Sequence, residues 1–462
     1  MAPLIEPEEA ARELAACMRR EGLAPATIEE FLGCYRRFRA GERGTLPWDE
    51  LAPPRAGDLA DRADLPEIGE RRERELLDRL ALIRLNGGLG TSMRLAGPKS
   101  LIPVRGGRSF LDLLSEQVAK LRRRTGARLP LLLMDSFATR ERSLAALRGF
   151  EQPDGLPLDF LQQRFPRIDA ESGGPARLSA AERRWAPPGH GDVYWALAAS
   201  GLLDRLLAAG YRWAFVANID NLAATPDAAT LAHLEERRVE FAMEVTPKTR
   251  ADVKGGTLVR WRGRLTLLER AQVEPAHVAD FENTDKLPVF NTNTLWWDLE
   301  AVRRKLEEGL DLPLIVNAKR EEGRDLVQLE TAMGAAIGCF DRALGIRVSR
   351  RRFAPVKTTD DLLAVRSDAF AVDRDGALRL VEGRDLPPVV RLDRAYYRGA
   401  RDLDERVPHP LGLAHCDTLT VEGDVRFGAG VEVRGEVTLS AGAGAARVPD
   451  GSRFDGGTHR LG

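Results

Sequence analysis

From Ala81 to about Phe370 the chain alternates between short apolar runs and longer stretches whose apolar residues recur at helical spacing. Ala81–Leu85, Leu129–Met134, Trp213–Ala217 and Phe241–Val245 are nearly unbroken apolar runs, as expected of strands buried on both faces. Helix signals lie between them. Ser109 followed by Asp112 resembles a capping box opening a helix over Phe110–Arg124. Thr225-Pro226-Asp227 reads as an N-cap, a proline at the first helical position and an acidic first turn. Gln328–Ala336 reads as a further helix whose small-residue face suits close packing. Strands alternating with helices predict an α/β fold, a mainly parallel sheet with helices on both faces.

The two ends differ from this pattern. Residues 8 to 40 predict helices, with Leu14, Cys17, Met18 and Phe31, Cys34, Tyr35 at helical spacing. A segment rich in proline and charge, Leu46 to Pro66, leads to a second helix around Gly69–Leu80. Near the C-terminus, Leu419, Val425, Val431 and Val437 recur every six residues, in phase with Val421, Phe427, Val433 and Leu439. The small residues Gly423, Ala429, Gly435 and Ala441 keep the same period. Three registers in phase predict a hexapeptide solenoid, a left-handed β-helix; two hairpins turning at Gly423 and Gly435 are the alternative. The expected organisation is an N-terminal helical segment (1–80), an α/β domain (81–370), a linker (371–410) and a C-terminal β-solenoid (411–462).

Composition narrows the classes of partner. The chain has 462 residues, and its 69 basic and 70 acidic side chains leave a formal charge of −1, so bulk electrostatics favour neither nucleic acid nor an anionic membrane. No apolar stretch approaches the roughly 18 residues of a membrane span, and the first residues form neither a basic nor an apolar leader. Cys17, Cys34, Cys339 and Cys416 are scattered without metal-ligand or disulfide spacing. A cytoplasmic protein of two or three domains is expected. Only eight of the 69 basic residues are lysine. Lys99, Lys248, Lys254 and Lys357 fall in the motifs below, where a compact ammonium has a use.

Candidate chemistry gathers first in Asn86-Gly87-Gly88-Leu89-Gly90-Thr91-Ser92-Met93-Arg94-Leu95-Ala96-Gly97-Pro98-Lys99-Ser100, directly after the first apolar run. A strand ending in a glycine-rich loop is where α/β folds hold nucleotide phosphates. Gly87, Gly88 and Gly90 let backbone N–H groups approach an anion, and Lys99 adds a mobile point charge. The spacing fits neither a Walker A loop nor G-x-G-x-x-G. Pro187-Pro188-Gly189-His190-Gly191-Asp192 is a rigid turn in which two glycines allow close approach and His190 offers a phosphate a hydrogen bond. Asp220, in Asn218-Ile219-Asp220-Asn221, follows a strand end, where a carboxylate is placed to hold Mg²⁺; a simple Asx turn is the alternative. Glu244–Gly256 concentrates Lys248, Arg250 and Lys254 before a Gly-Gly turn, with a solvated charged face as the alternative. Asn291 and Asn293 share a face if extended, and amides suit sugar hydroxyls.

The runs G-G-L-G-T-S-M with G-P-K-S, P-P-G-H-G-D, N-x-D-N-L, E-V-T-x-K-T-x-A-D-V-K-G-G, F-N-T-N-x-L-W and R-F-x-P-V-K occur in this order. Together they resemble the UTP–glucose-1-phosphate uridylyltransferase (UDP-glucose pyrophosphorylase) family. The resemblance implies a Rossmann-like nucleotidyltransferase domain over 81–370, reversible uridylyl transfer between UTP and glucose 1-phosphate, and Mg²⁺ as cofactor. It implies catalytic roles for Lys99 and Lys357, the latter a second phosphate-binding lysine. Leu85, Gly87, Gly88, Gln162, Gly189 and Asp220 would meet the nucleotide, with Gln162 reading the uracil and Asp220 also holding the metal. His190, Glu269, Asn291 and Asn293 would meet the sugar phosphate. A galactose or N-acetylhexosamine 1-phosphate is the alternative substrate, and a non-catalytic sugar-nucleotide-binding scaffold is the alternative from another class. Self-association through the exposed end of the solenoid is a further expectation. The chain departs from the family pattern at Arg94-Leu95-Ala96, at Asp135, where asparagine is usual, and over Ala170–Arg184.

Overall fold

An eight-stranded sheet organises the computed structural model, which describes residues 6–90, 93–95, 97–249, 252–442 and 444–462. Thr91, Ser92 and Ala96 of the glycine-rich loop, and Arg250, lie outside the described residues. In spatial order the strands are Leu59–Asp61, Ala343–Arg347, Phe241–Pro247, Val289–Asp298, Trp213–Asn218, Leu80–Asn86, Leu131–Asp135 and Asp159–Leu161. Both faces are apolar and covered. Leu80 and Leu82 enter one cluster with Phe110, Leu114 and Phe215, while Ala81, Ile83 and Leu85 enter another with Val193, Tyr194 and Trp297.

The expected mainly parallel sheet is corrected here: the sheet is mixed. Val289–Asp298 runs antiparallel to both of its neighbours, Phe241–Pro247 and Trp213–Asn218. Its side chains alternate between the two cores, with Trp296 in one and Leu295 and Trp297 in the other. A strand buried on both faces carries the same apolar pattern in either direction, so periodicity does not report its sense.

The structure keeps some of the local signals and departs from others. Ser109 and Asp112 form the capping box of the helix Phe110–Thr125. The helix Ala228–Glu236 starts later than expected, capped by Asp227, whose carboxylate accepts from Thr230 N at 3.0 Å. Gln328–Thr331 is not helical. It ends the strand Arg324–Thr331, which pairs with Leu314–Glu321, and a 3-10 turn, Met333–Cys339, follows. The N-terminal helices Pro7–Arg20 and Pro25–Arg39 pack on this hairpin through Leu14, Phe31, Leu314 and Leu329. Among the described residues no helix is long and apolar enough to cross a membrane.

The C-terminal left-handed hexapeptide β-helix is also corrected. Four parallel strands, Val389–Leu392, Gly412–Glu422, Glu432–Ala441 and Arg453–Leu461, form one sheet, and Val425–Phe427 with Ala446–Val448 form a second. Leu419 pairs with Val437, but Val437 pairs with Gly457, so the return length changes from one turn to the next and the six-residue period is not kept. The periodic residues Leu419, Val425, Val431 and Val437 are buried. They share an apolar cluster with Leu82 and Phe215, which seats this unit against one face of the central sheet. The expected self-association through a solenoid end loses its basis.

Trp296 ties the antiparallel strand to its surroundings. Its ring lies 4.5 Å from that of Phe215, and its Nε1 donates to Glu244 Oε1 at 3.1 Å. Trp296→Ala should cost about 3–5 kcal/mol, read as a lower midpoint in urea unfolding.

Candidate active site

Leu80–Asn86 and Trp213–Asn218 pair in parallel with Leu85 opposite Asn218, so their carboxyl ends lie side by side. The chain leaves Leu80–Asn86 toward Leu131–Asp135 and Asp159–Leu161 on one side and returns as Trp213–Asn218 on the other. Such a switch point is where open α/β sheets bind ligands. A cleft of about 870 Å³ opens there. Its wall contains Leu85, Gly87, Gly88, Gln162, Gly189 and Asp220, the residues expected to meet a nucleotide, together with Lys99 and His190.

The glycine-rich loop is built for close approach. A Cβ on Gly87 would sit 2.7 Å from Gln162 Oε1. Gln162 is held at both ends, its N–H donating to Asp135 O at 2.8 Å and its Nε2 to Gly189 O at 2.8 Å. Ser136 Oγ donates to Gly87 O at 2.9 Å, and Lys99 N donates to Gly88 O at 3.3 Å. The folded-back loop sets the Lys99 ammonium in an ion pair with Asp220 Oδ2. Asp220 Oδ1 is buried with no hydrogen-bond partner. Beneath the loop, Asp135 stands at the unusual position noted above. Asn86 Nδ2 donates to its Oδ1 at 2.7 Å, and burial pushes its carboxyl up to about 6.

His190 sits on a clamped turn. A Cβ at Gly189 would lie 2.3 Å from Thr331 O, and one at Gly191 would lie 2.3 Å from Thr331 Oγ1. Gly189 also takes a φ of +80°, so both positions demand glycine. Met333 N donates to His190 Nδ1 at 3.0 Å. Burial, with the Lys357 charge assisting, lowers the imidazole to about 4. The ring is therefore neutral at physiological pH, with Nδ1 accepting and Nε2 carrying the proton.

Lys357, Glu269, Asn291 and Asn293 stand beside the cleft, outside its wall. Lys357 lies near enough to His190 and Glu269 for its charge to act on each. Burial raises the Glu269 carboxyl, and Lys357 opposes that shift. Glu269 lies over Gly256, where a Cβ would come within 2.8 Å of its carboxyl carbon. Asn291 N donates to Gly256 O at 2.8 Å, and Asn293 N donates to Asn291 Oδ1 at 2.8 Å. Asn293 Nδ2 reaches Asn218 Oδ1 at 3.1 Å, and Asn218 does line the cleft. Lys248 is engaged elsewhere. Its Nζ donates to Phe281 O at 2.8 Å and lies 4.5 Å from the centre of that ring.

Sequence reasoning passed over two groups. Asp192 accepts from Gln163 N at 2.6 Å and so ties the Gln162–Gln163 segment to the His190 turn; it ends the P-P-G-H-G-D run, which was the available signal. Arg164 lies between the rings of Phe137 and Trp185, 4.9 and 4.8 Å from their centres, and donates to Glu21 Oε2 at 2.8 Å. Arg164, Phe137 and Trp185 line the cleft. No spacing rule joins residues so far apart in the chain.

A glycine-lined cleft at a switch point, with a lysine–aspartate pair at one end, defines an α/β nucleotidyltransferase. The fold agrees. A crystal structure of a variant Leishmania major UDP-glucose pyrophosphorylase in complex with UDP-glucose superposes with a TM-score of 0.90 at 36% identity, covering 98% of this chain and 99% of that one. The family model for UTP–glucose-1-phosphate uridylyltransferase matches residues 28–434. A Dictyostelium discoideum protein named UTP–glucose-1-phosphate uridylyltransferase 2 is 40% identical over 428 residues, covering 91% of this chain and 85% of its own. A Solanum tuberosum UTP–glucose-1-phosphate uridylyltransferase is 41% identical over 430 residues, covering 91% and 90%. The chain belongs to the UTP–glucose-1-phosphate uridylyltransferase family.

The His190 environment has a consequence for pH. The folded value lies below the 6.5 of a free imidazole, so on acidification the unfolded chain takes up the proton first. Its contribution to stability is therefore present above about 6.5 and is lost as pH falls toward 4. Histidine-labelled protein should show the His190 ring nitrogens unchanged by NMR between pH 8 and 5; a midpoint near 6.5 would contradict the buried neutral ring.

Proposed function

We propose a division of labour among these residues for the family reaction, in which UTP and glucose 1-phosphate give UDP-glucose and pyrophosphate. The observation that carries it is the Lys99–Asp220 pair at the end of the glycine-lined cleft, with Asp220 Oδ1 buried and unpartnered. Gly87 and Gly88 present backbone to the nucleotide, and Gln162, pinned against Gly87, reads the uracil edge with its amide. Lys99 exchanges its carboxylate partner for the triphosphate. A sugar-phosphate oxygen attacks the α-phosphorus in line. The new P–O bond forms as the bond to the bridging oxygen breaks, and the electron pair leaves with pyrophosphate. No protein nucleophile is needed. Positioning and charge neutralisation supply the rate.

His190 donates Nε2–H to the sugar phosphate, and Lys357 neutralises it from the same side. Glu269, Asn291 and Asn293 hold the hydroxyls. A neutral histidine suits this place, because it contributes a directional donor while Lys357 carries the charge.

The residues present fit Mg²⁺. Among the described residues no group of three His, Cys, Asp or Glu gathers into a cage, but Mg²⁺ is commonly held by one or two carboxylates plus substrate phosphates. Asp220 Oδ1 is the free oxygen for that purpose. When bound, the ion supplies charge neutralisation on phosphate oxygens. The unpaired Cys17, Cys34, Cys339 and Cys416 support a reducing, cytoplasmic setting.

Lys99→Ala should fold normally and lose on the order of 10²–10³-fold in kcat/KM for UTP, measured by pyrophosphate release; near-normal turnover would remove Lys99 from the triphosphate site. Excess EDTA should abolish release and added Mg²⁺ should restore it. The same assay run with glucose, galactose and N-acetylglucosamine 1-phosphates should show glucose 1-phosphate preferred.

A further inference from the structure

The segment that carries Lys357 has no regular structure of its own. It runs from the 3-10 turn Arg350–Arg352 to the helix Thr359–Arg366, and residues 353–357 between them are neither helix nor strand. Such a strap takes its position from what it is tied to. At one end Lys357 N donates to Asp361 Oδ2 at 2.8 Å, the carboxylate that also caps the helix. At the other, Arg352 Nη2 donates to Thr225 O at 2.7 Å and to Glu244 Oε1 at 2.8 Å.

The middle of the strap is tied to the turn that holds Asp220. Ala354 N donates to Asn221 Oδ1 at 3.0 Å. Asn221 is buried and is not in the cleft wall, so its amide acts on the protein and not on a substrate. Among the described residues its Nδ2 finds no partner, which leaves Oδ1 as the working atom. The turn is itself closed by backbone bonds, Asn221 N donating to Asn218 O and Ala224 N to Asn221 O, each at 3.2 Å. Ile219 and Leu222 of the turn share an apolar cluster with Ala354 and Val356 of the strap. Adjacent residues of one turn therefore hold both lysine segments. Asp220 pairs with Lys99, and Asn221 grips the strap three residues before Lys357, a chain reach of at most about 11 Å.

We propose, on the role given to Lys357 above, that Asn221 is a positioning residue for the sugar phosphate and acts through Lys357. Its hydrogen bond to Ala354 N fixes the strap relative to the Lys99–Asp220 pair. The two phosphate-binding lysines are thereby held in one frame, and the attacking phosphate is set against the α-phosphorus. Geometry of this kind is sensitive, since a misplacement of about 1 Å costs on the order of 10²-fold in rate. Without the bond the strap keeps its ties at Arg352 and Asp361 and its apolar packing, so the chain folds while Lys357 loses its fixed position.

The test measures pyrophosphate release by the full chain, Asn221→Leu, Lys357→Ala and the double variant, with UTP and glucose 1-phosphate varied in turn. Leucine keeps about the volume of asparagine and removes the acceptor; Asn221→Ala serves as the second variant if leucine does not fold. The Asn221 variant should lower kcat/KM for glucose 1-phosphate tenfold or more, mainly through KM, and leave the KM for UTP within twofold. Added to Lys357→Ala, the same substitution should change kcat/KM for glucose 1-phosphate less than twofold. A matching rise in the KM for UTP would overturn the proposal, because Asn221 would then serve the Asp220 turn alone. Losses that multiply in the double variant would also overturn it. If Lys357→Ala raises the KM for glucose 1-phosphate and the Asn221 variant does not, the proposal fails by itself; if Lys357→Ala leaves that KM unchanged, the role of Lys357 fails and the proposal with it.

Discussion

The site depends on the parallel registration of Leu80–Asn86 with Trp213–Asn218 on one side and Leu131–Asp135 on the other. That pairing sets three strand ends at one level and leaves a crevice where the chain reverses its direction of travel across the sheet. The glycine-rich loop, the Asp220 turn and the Ser136 segment all start from those ends. The apolar character of the strands is therefore a functional constraint as much as a structural one. A slip of one residue would exchange the two buried faces and carry Lys99 away from Asp220.

Charge is handled economically around this crevice. Lys99 and Asp220 neutralise one another where each is largely shielded from water, so neither charge is buried alone. His190 and Lys357 illustrate the same economy. Burial and the nearby ammonium keep the ring uncharged. Burial likewise raises the carboxyls of Asp135, Asp192 and Glu269, each of which lies behind or beside the cleft and not in its wall.

Much of the fold was legible from local pattern. The buried strands, the capping box at Ser109 and the N-terminal helices rest on spacings that recur within a few residues, and the structure contains them. The differences share a cause. Val289–Asp298 is antiparallel, Gln328–Thr331 is strand, and the six-residue C-terminal period does not build a regular hexapeptide helix. In each case burial alone was encoded locally, while strand sense, pairing partner and turn length were set by segments far away. Gln328–Thr331 is extended because Leu314–Glu321 pairs with it, which no helical or strand propensity within the segment reports.

Residue chemistry and glycine placement were present in the linear chain: a phosphate-approaching loop, a lysine amid arginines, a carboxylate after a strand, and motifs in family order. Those features named the reaction class. Tertiary structure alone decided how they meet. It pressed Gln162 against Gly87, kept the His190 ring neutral by burying it where Met333 N donates to it, set Glu269 and the two asparagines beside the cleft, and turned Lys248 away to Phe281. Side-chain identity is local information, but burial, protonation state and convergence depend on which distant segments share a strand end, and only the folded chain specifies that.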